Sequence, residues 1–295
     1  MEWSDTALVL GVGRFRESDL WLRMLTRRHG IVSAFAFGGS RSRKRFCGCL
    51  DLFNELQIST KTTRNGMYLS LQEGNLIRGP RRLRTDWNRL GMFMNCVRFV
   101  EALGVPQDGA AGVFLLLKDT LELLEQSETV QDILPILFRL RLASQQGYAP
   151  ALTACVSCGK KDFDHAGFLV SEGTIVCPDC VSGRGNIVEI SGKSLDVLRQ
   201  VQEVSPLHWH FLTSGSSEEA GEVLLPAERR ECARAVDGFV QYHLGLTWDR
   251  GRFRRMGSGG FRALKNGLLW LLFRKEIPRL VSAAIVMEEA CIFRM

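Results

Sequence analysis

The sequence predicts an α+β protein of several domains, in which a five-stranded barrel precedes a helical domain with an inserted four-cysteine module. Three observations lead to this prediction. Strand-like segments fill residues 5–77, amphipathic helical segments follow from residue 86, and two Cys-x2-Cys pairs interrupt those helical segments. The 295 residues are 45% hydrophobic and 24% charged, which is typical of a folded chain long enough for two or three domains.

Five segments of the N-terminal region have the pattern of β-strands. They are TALVLGVGRF, DLWLRMLT, IVSAFAF, LFNELQIST and MYLSLQEGNLI. Apolar residues alternate within them, as at Leu20, Leu22 and Met24, and Asn65-Gly66 is a strong hairpin signal between the last two. Five short antiparallel strands without an intervening helix favour an OB-fold over residues 1–82, and an SH3-like barrel fits nearly as well.

From Asp86 onward the apolar period becomes that of helices. Leu90, Phe93, Val97 and Val100 share one helical face. Further helices are predicted at AAGVFLLLKDTLELLEQ, ILPILFRLRLASQQ, SGKSLDVLRQVQEV and PAERRECARAVDGFVQYHLG. Residues that favour helix ends accompany these segments. Asp108 and either Ser191 or Ser194 are expected to be N-caps, Pro135 and Pro226 to lie in the first turns of their helices, and Gly245 to end the last helix.

Four cysteines between these helices have the spacing of a metal site. Cys155 and Cys158 form one Cys-x2-Cys pair, Cys177 and Cys180 form another, and 18 residues separate the pairs. Each pair lies in a tight turn, or knuckle, that brings two thiolates to one metal. Two knuckles can complete a tetrahedral four-thiolate shell, so we predict one structural zinc ion per chain. The alternatives are empty turns or another soft metal such as iron. A thioredoxin-like redox pair is less favoured because no strand-helix unit accompanies it.

Catalytic motifs are not found, and no catalytic residue is predicted. A four-thiolate shell leaves no position for a reactive water, and none of the histidines is followed two residues later by glutamate, as a zinc deaminase requires. Gly11-Val12-Gly13 is not a dinucleotide fingerprint because no third glycine follows. His165, between the knuckles, is expected to be a solvated loop residue rather than a ligand.

Positive charge is concentrated at the two ends of the sequence. Residues 1–86 contain 15 Lys/Arg against 8 Asp/Glu, residues 87–247 contain 13 against 20, and residues 248–295 contain 10 against 4. Basic segments are typical of surfaces that bind nucleic acid or anionic lipid. The densest run, AFGGSRSRKRF at residues 36–46, lies between two predicted strands. It is predicted to contact an external polyanion, the alternative being a solvated loop without a ligand.

We expect eight cations to line one mouth of the barrel, where phosphates can displace condensed counterions. They are Arg14, Arg16, Arg27, Arg28, Arg41, Arg43, Lys44 and Arg45. Phe35, Phe37 and Phe46 are candidates for stacking on unpaired bases, although a phenylalanine in a strand is more often part of the core. The N-terminal MEWSDTALVL is not a signal peptide and GLLWLLF is too short to span a membrane, so a cytoplasmic protein is expected.

Four stretches resemble a known family. They are ESDLWLRMLTRRHGIVSAFAFGGSRSRKRF at 17–46, LRLASQQGYAPALTACVSCG at 140–159, CPDC at 177–180 and QYHLG at 241–245. In this order, over residues 1 to about 256, they resemble the bacterial recombination mediator family RecO. The resemblance implies an OB-fold at 1–82, a helical domain at 83–150 and 187–256, and a zinc-binding insert at 151–186. Residues 257–295 have no recognised counterpart and no assigned role.

The resemblance also implies a function without bond cleavage. Members of the family bind single-stranded and double-stranded DNA, anneal complementary strands and, together with RecR, help to load the RecA recombinase onto DNA coated with single-strand binding protein. The implied partners are therefore DNA, RecR, the acidic C-terminal tail of single-strand binding protein and, indirectly, RecA, with association with the nucleoid during repair. The alternative from the residues is an RNA-binding or polymerase-binding factor built from an OB-fold and a zinc ribbon.

Overall fold

The first five strands close into a barrel in this computed structural model, which describes residues 2–63, 66, 68–185, 187–212 and 224–256. The strands are β1 (Glu2–Arg14), β2 (Leu20–Thr26), β3 (Gly30–Ala36), β4 (Glu55–Thr62) and β5 (Leu69–Arg78). Their order around the barrel is β1-β2-β3-β5-β4, with β3 and β5 parallel and the other pairs antiparallel. The five predicted strands and the OB-fold are confirmed, and the alternative SH3-like barrel is not adopted; the expectation that all strands pair antiparallel is wrong for β3 and β5.

Alternating apolar side chains fill the barrel. Leu22 and Met24 of β2 are fully buried, and so are Leu56 and Leu71 of β4 and β5. Phe46, the last residue of the basic run, is also fully buried in this core. The expectation that Phe46 stacks on bases is therefore wrong, since its ring is inaccessible to a ligand. Asn65 of the hairpin signal lies outside the described residues.

Helices follow the barrel. They are α1 (Arg82–Thr85), α2 (Trp87–Leu103), α3 (Ala110–Gln126), α4 (Leu134–Gln145), α5 (Gly192–Glu203) and α6 (Pro226–Leu244). The side chains of Asp86 and Ser191 accept backbone N–H groups at the starts of α2 and α5, and Gly245 ends α6 at φ 64°. Asp108 is not an N-cap, because it lies in a 3-10 turn and α3 begins after Gly109 without a side-chain cap.

Two small sheets complete the described chain, and neither was predicted. The insert's sheet contains β6 (Ala151–Cys155), β7 (His165–Leu169), β8 (Thr174–Val176) and β9 (Ile187–Ser191), in the order β6-β8-β7-β9, and it extends five residues beyond the predicted boundary at residue 186. After α6, β10 (Leu246–Asp249) and β11 (Arg252–Arg255) form an antiparallel hairpin. The C-terminal segment 257–295, to which no role was assigned, lies outside the described residues.

The barrel and the helices share apolar contacts. Phe53, in the connection between β3 and β4, is buried with its ring centroid 4.9 Å from that of Phe93 on α2. Lys118 of α3 donates to the buried Glu55 at 2.9 Å. The apolar core is continuous across residue 82, where the barrel domain is predicted to end. The predicted division of the chain into functional domains stays a prediction.

Candidate nucleic-acid interface and metal centre

Residues 37–45, which we call the basic loop, leave β3 through a tight turn at one end of the barrel. Gly38 adopts φ 68°, a conformation that glycine reaches without steric cost, and its N–H donates to Asp19 at 2.7 Å. The N–H groups of Arg41 and Ser42 both donate to the Gly38 carbonyl, at 3.2 and 3.0 Å. The backbone of the loop is therefore held locally and against the β1–β2 turn, while its charged side chains remain exposed.

The charges of the basic loop are only weakly paired. Arg41 lies 3.8 Å from Glu17, with the two side chains 73% and 90% exposed, so this ion pair contributes little to stability. The Arg45 guanidinium donates to the Phe37 carbonyl and lies 5.0 Å from the centroid of Phe46. Within the described part of the chain, the side chains of Arg43 and Lys44 have no ionic partner. The loop thus presents cations that an external anion can bind.

Strand register decides which of the other predicted cations join this loop. Arg14 pairs with Leu20, and Leu20 pairs with Ala36, so the β1–β2 turn with Arg16 lies at the same barrel end as the basic loop. At the other end of β2, Thr26 pairs with Gly30, and Arg27 and Arg28 follow there. Seven residues of strand separate the two ends by ~20 Å.

The prediction that all eight cations surround one mouth is therefore wrong for Arg27 and Arg28, because β2 carries them to the opposite end. Arg14, Arg16, Arg41, Arg43, Lys44 and Arg45 do share one end. The part that any of these residues takes in DNA binding stays a prediction.

Four aromatic rings lie beside the basic loop, and we call them the aromatic row. The ring of Phe35 on β3 is the centre of the row, 5.0 Å from Phe15, 6.3 Å from Phe37 and 5.5 Å from Tyr68. Phe15, Phe37 and Tyr68 are 52%, 42% and 44% exposed. Three connections of the barrel thus bring aromatic rings onto one half-buried phenylalanine.

Sequence reasoning missed Phe15 and Tyr68. They lie 53 positions apart and meet only because β5 pairs with β3 in parallel at Phe35 and Ser70. A signal was available, since Phe15 lies in the β1–β2 connection and Tyr68 in the β4–β5 connection, the two loops that OB-folds commonly use for oligonucleotides.

Trp21 extends the aromatic surface across the neighbouring strand. It pairs with Phe35, and its indole lies over β1, where a Cβ atom at Gly13 would come within 2.1 Å of the indole nitrogen. A Cβ atom at Gly11 would lie 3.6 Å from the same ring. The two glycines of the Gly-Val-Gly segment therefore leave space for an indole, which is a different use from nucleotide binding.

The four cysteines of the insert come together in the structure. The sulfur atoms of Cys155, Cys158, Cys177 and Cys180 all lie within 4.8 Å of one another, and those of Cys158 and Cys177 are 3.7 Å apart. A tetrahedral site with metal–sulfur bonds of ~2.3 Å requires sulfur atoms ~3.8 Å apart, so the cluster fits such an ion. This set could hold a metal ion. His165 is exposed at the start of β7 and is not part of the set.

The protonation chemistry of the cluster favours a bound cation. Burial would raise the pKa of Cys155, but backbone N–H groups, first that of Cys177, lower the pKa to about 6. In contrast, thiol hydrogen bonds to Cys177 and Cys158 raise the pKa of Cys180 to about 12. Neighbouring sulfur atoms thus raise the pKa of Cys180 and oppose its ionisation, and a divalent cation would remove that opposition.

These features define a class: an OB-fold protein with a basic, aromatic surface at one end of its barrel and a four-cysteine centre outside the barrel. The family models described as Recombination protein O N terminal and Recombination protein O C terminal match residues 1–80 and 84–252. The chain belongs to this family, RecO, whose members are DNA repair proteins.

Curated relatives support the assignment across the same region. DNA repair protein RecO of Nitratidesulfovibrio vulgaris is 52% identical over 262 residues, which are 87% of this chain and all of the relative. The protein of the same name from Lawsonia intracellularis is 46% identical, with the same coverage. That from Myxococcus xanthus is 28% identical over 88% of this chain and 97% of its own length. Among the described residues, no helix has the length and apolarity needed to cross a membrane.

Proposed function

We propose that this chain is a recombination mediator that binds single-stranded and double-stranded DNA, anneals complementary strands and, with RecR, helps to load RecA onto DNA coated with single-strand binding protein. The observation that carries the proposal is the position of the basic loop and the aromatic row at one end of the same OB-fold barrel. Neither feature requires a catalytic residue, and the proposal includes no bond cleavage.

The two features supply different parts of the binding energy. Cations of the basic loop, with Arg14 and Arg16, replace counterions condensed on the phosphodiester backbone, an effect that does not depend on base sequence. The rings of the aromatic row offer faces on which unpaired bases stack, again with little sequence preference. A protein that brings together any two complementary strands needs this sequence-independent binding.

For the four-cysteine centre we propose zinc in a structural role. The donor set is all sulfur and closed, so a bound zinc ion keeps no position for water and acts by holding the two knuckles together. The proposed protein partners are RecR and the acidic tail of single-strand binding protein, with RecA reached indirectly. Their contact residues are not assigned.

Annealing of complementary DNA strands that have been coated with single-strand binding protein tests the proposed function. We expect the chain to accelerate duplex formation from two fluorescently labelled strands, for any complementary sequence. A non-complementary pair is the control for aggregation, and RNA strands of the same sequence test the alternative of an RNA-binding factor. No acceleration on coated DNA, or acceleration of RNA alone, would contradict the proposal.

Substitution of Phe37 by alanine tests the aromatic row. The ring is 42% exposed, so its loss should leave the melting temperature unchanged, while binding of single-stranded DNA weakens about tenfold, the low end of the ~1–3 kcal/mol per stacked base. Duplex binding, in which the bases are already stacked, should not change. Tyr148→Ala is a matched control because Tyr148 is 45% exposed and lies beyond the end of α4. Equal losses for single strands and duplex would exclude stacking on Phe37.

A further inference from the structure

The hairpin of β10 and β11 carries a second concentration of positive charge. Its sequence, LTWDRGRFRR, contains four arginines and one acidic residue. Arg250, Arg252, Arg254 and Arg255 are all exposed. The acidic residue, Asp249, lies 3.0 Å from Arg254, and Trp248 on the same hairpin is 40% exposed. The sequence features that predicted the basic loop, cations next to glycine and an aromatic residue, therefore recur here.

The turn of the hairpin places an arginine where other residues would be easier to accommodate. Arg250 and Gly251 have φ values of 46° and 80°, so both central positions of this two-residue turn are left-handed. Asn-Gly and Asp-Gly are the sequences that such turns favour, because a residue with a longer side chain is disfavoured at positive φ. An arginine held at the tip despite this preference indicates a use for its charge.

Side chains of α2 and α4 hold the hairpin against the helical domain. The ring of Phe253 lies 5.0 Å from that of Phe99 on α2, and the guanidinium of Arg139 lies 4.9 Å from its centroid. Arg98 of α2 donates to the carbonyl of Gly251 in the turn. Because these contacts hold both the strand and the turn, the exposed arginines start from an ordered scaffold and lose less entropy on binding a ligand.

Helix α2 connects the hairpin to the outer surface of the barrel. Glu101 follows Arg98 by three residues, which places the two side chains on the same face of the helix. Glu101 lies 2.6 Å from Arg23 on β2, and Arg23 shares its face of the strand with Trp21, two residues before it. Helix α2 therefore contacts both the hairpin turn, through Arg98, and the barrel strand that carries Trp21, through Glu101.

We propose that this hairpin is a second DNA-binding element, which holds the phosphodiester backbone of a strand that continues from the barrel. The proposal rests on the proposed function, because it assigns the barrel to the first part of that strand. Arginine suits the role because its planar guanidinium binds phosphate oxygens in a bidentate manner, and the exposed Trp248 offers a further ring for a base. A mediator that engages a strand beyond the barrel can present its free bases to a complement.

Strand length provides the test. We would compare the full chain with an Arg250→Asn, Arg252→Gln double variant, in which asparagine suits the left-handed turn position and so preserves the fold. The probes are a thymidine oligonucleotide of about 10 nucleotides, within the ~4–16 that an OB-fold covers, and one of about 40 nucleotides. For the long strand we expect roughly fivefold weaker binding and a log–log salt slope reduced by about 1.4, at ~0.7 per phosphate contact. Binding of the short strand should not change.

An Arg230→Gln, Arg234→Gln variant is the control, since it removes two exposed charges from α6. Unchanged binding of the long strand by the hairpin variant would overturn the proposal, and so would equal losses for both lengths, because the hairpin would then not extend the site. Failure of the unmodified chain to bind either strand would instead contradict the proposed function, and the hairpin proposal would fall with it.

Discussion

Replacing Cys177 with serine is expected to remove the metal ion and to destabilise the two Cys-x2-Cys pairs of the insert, while the barrel keeps its fold. Cys177 is fully buried, its sulfur lies 3.7 Å from that of Cys158, and its own N–H donates to the sulfur of Cys155 at 3.4 Å. The substitution therefore removes one of four ligands at the centre of the cluster, where a serine hydroxyl does not replace a thiolate.

The effect should be largest at the two Cys-x2-Cys pairs, because little other apolar surface is buried around them. Around the cluster Leu169 and Val176, together with the buried cysteines, form a small apolar core, whereas Leu152, Phe168, Ile175 and Ile190 of the same strands belong to the main core. Structural zinc sites supply ~10–16 kcal/mol of apparent binding free energy in zinc-finger peptides, and that energy is also folding energy. Loss of the ion should therefore cost this part of the insert several kcal/mol. The barrel has its own core of strand residues and should be spared.

Metal analysis and hydrogen exchange measure the two parts of this prediction. The unmodified chain should contain one zinc ion, and its cobalt-substituted form should show the absorption of a four-thiolate shell. The Cys177→Ser variant should contain none and should lose amide protection at the two Cys-x2-Cys pairs, as at Gly159 and Cys180, but not in β1 to β5. Cys47→Ser is the control, since Cys47 is exposed outside the cluster and its removal should leave the metal content unchanged. A metal-free unmodified chain with a fully protected insert would refute the structural role.

Local sequence signals predicted much of the fold. Asp86 and Ser191 cap helices as expected because capping depends on a side chain and backbone two or three residues away. The barrel strands were predictable because one face of each is buried. The strands of the insert have only three to five residues, and those of the hairpin four, which is too short for a period to be recognised.

The nucleic-acid interface was less predictable because it depends on which strand ends meet. Arg27 and Arg28 are close to the basic loop in sequence, yet strand β2 places them at the other end of the barrel. Phe15 and Tyr68 are distant in sequence and meet at Phe35. Phe46 has the residue type expected of a stacking platform, but it fills the core. Residue type indicated the chemistry, whereas topology decided which side chains share a surface.

Removing the charges of the basic loop is expected to weaken DNA binding about equally for all base sequences. In the Arg41→Ala, Arg43→Ala, Lys44→Ala variant the slope of the log–log salt dependence on single strands should fall by about 2, and a fourth substitution, Arg45→Ala, should bring the reduction to about 3, at ~0.7 per phosphate contact. Fluorescence anisotropy across a salt series measures both the affinity and the slope. The Arg230→Ala, Arg234→Ala variant on α6 is the control for loss of charge alone.

Comparison of the triple variant with the quadruple variant separates the effect of lost charge from an effect on the structure of the loop. Arg41, Arg43 and Lys44 make only one ion pair within the described chain, the exposed one with Glu17, so the triple variant should keep its melting temperature. Arg45 also holds the Phe37 carbonyl, and its removal can displace the neighbouring ring of the aromatic row. A slope that changes only with Arg45→Ala would therefore indicate a structural effect of the loop. A slope unchanged in both variants would exclude the loop as the phosphate-binding surface, because exposed cations that touch phosphate must release counterions when they bind.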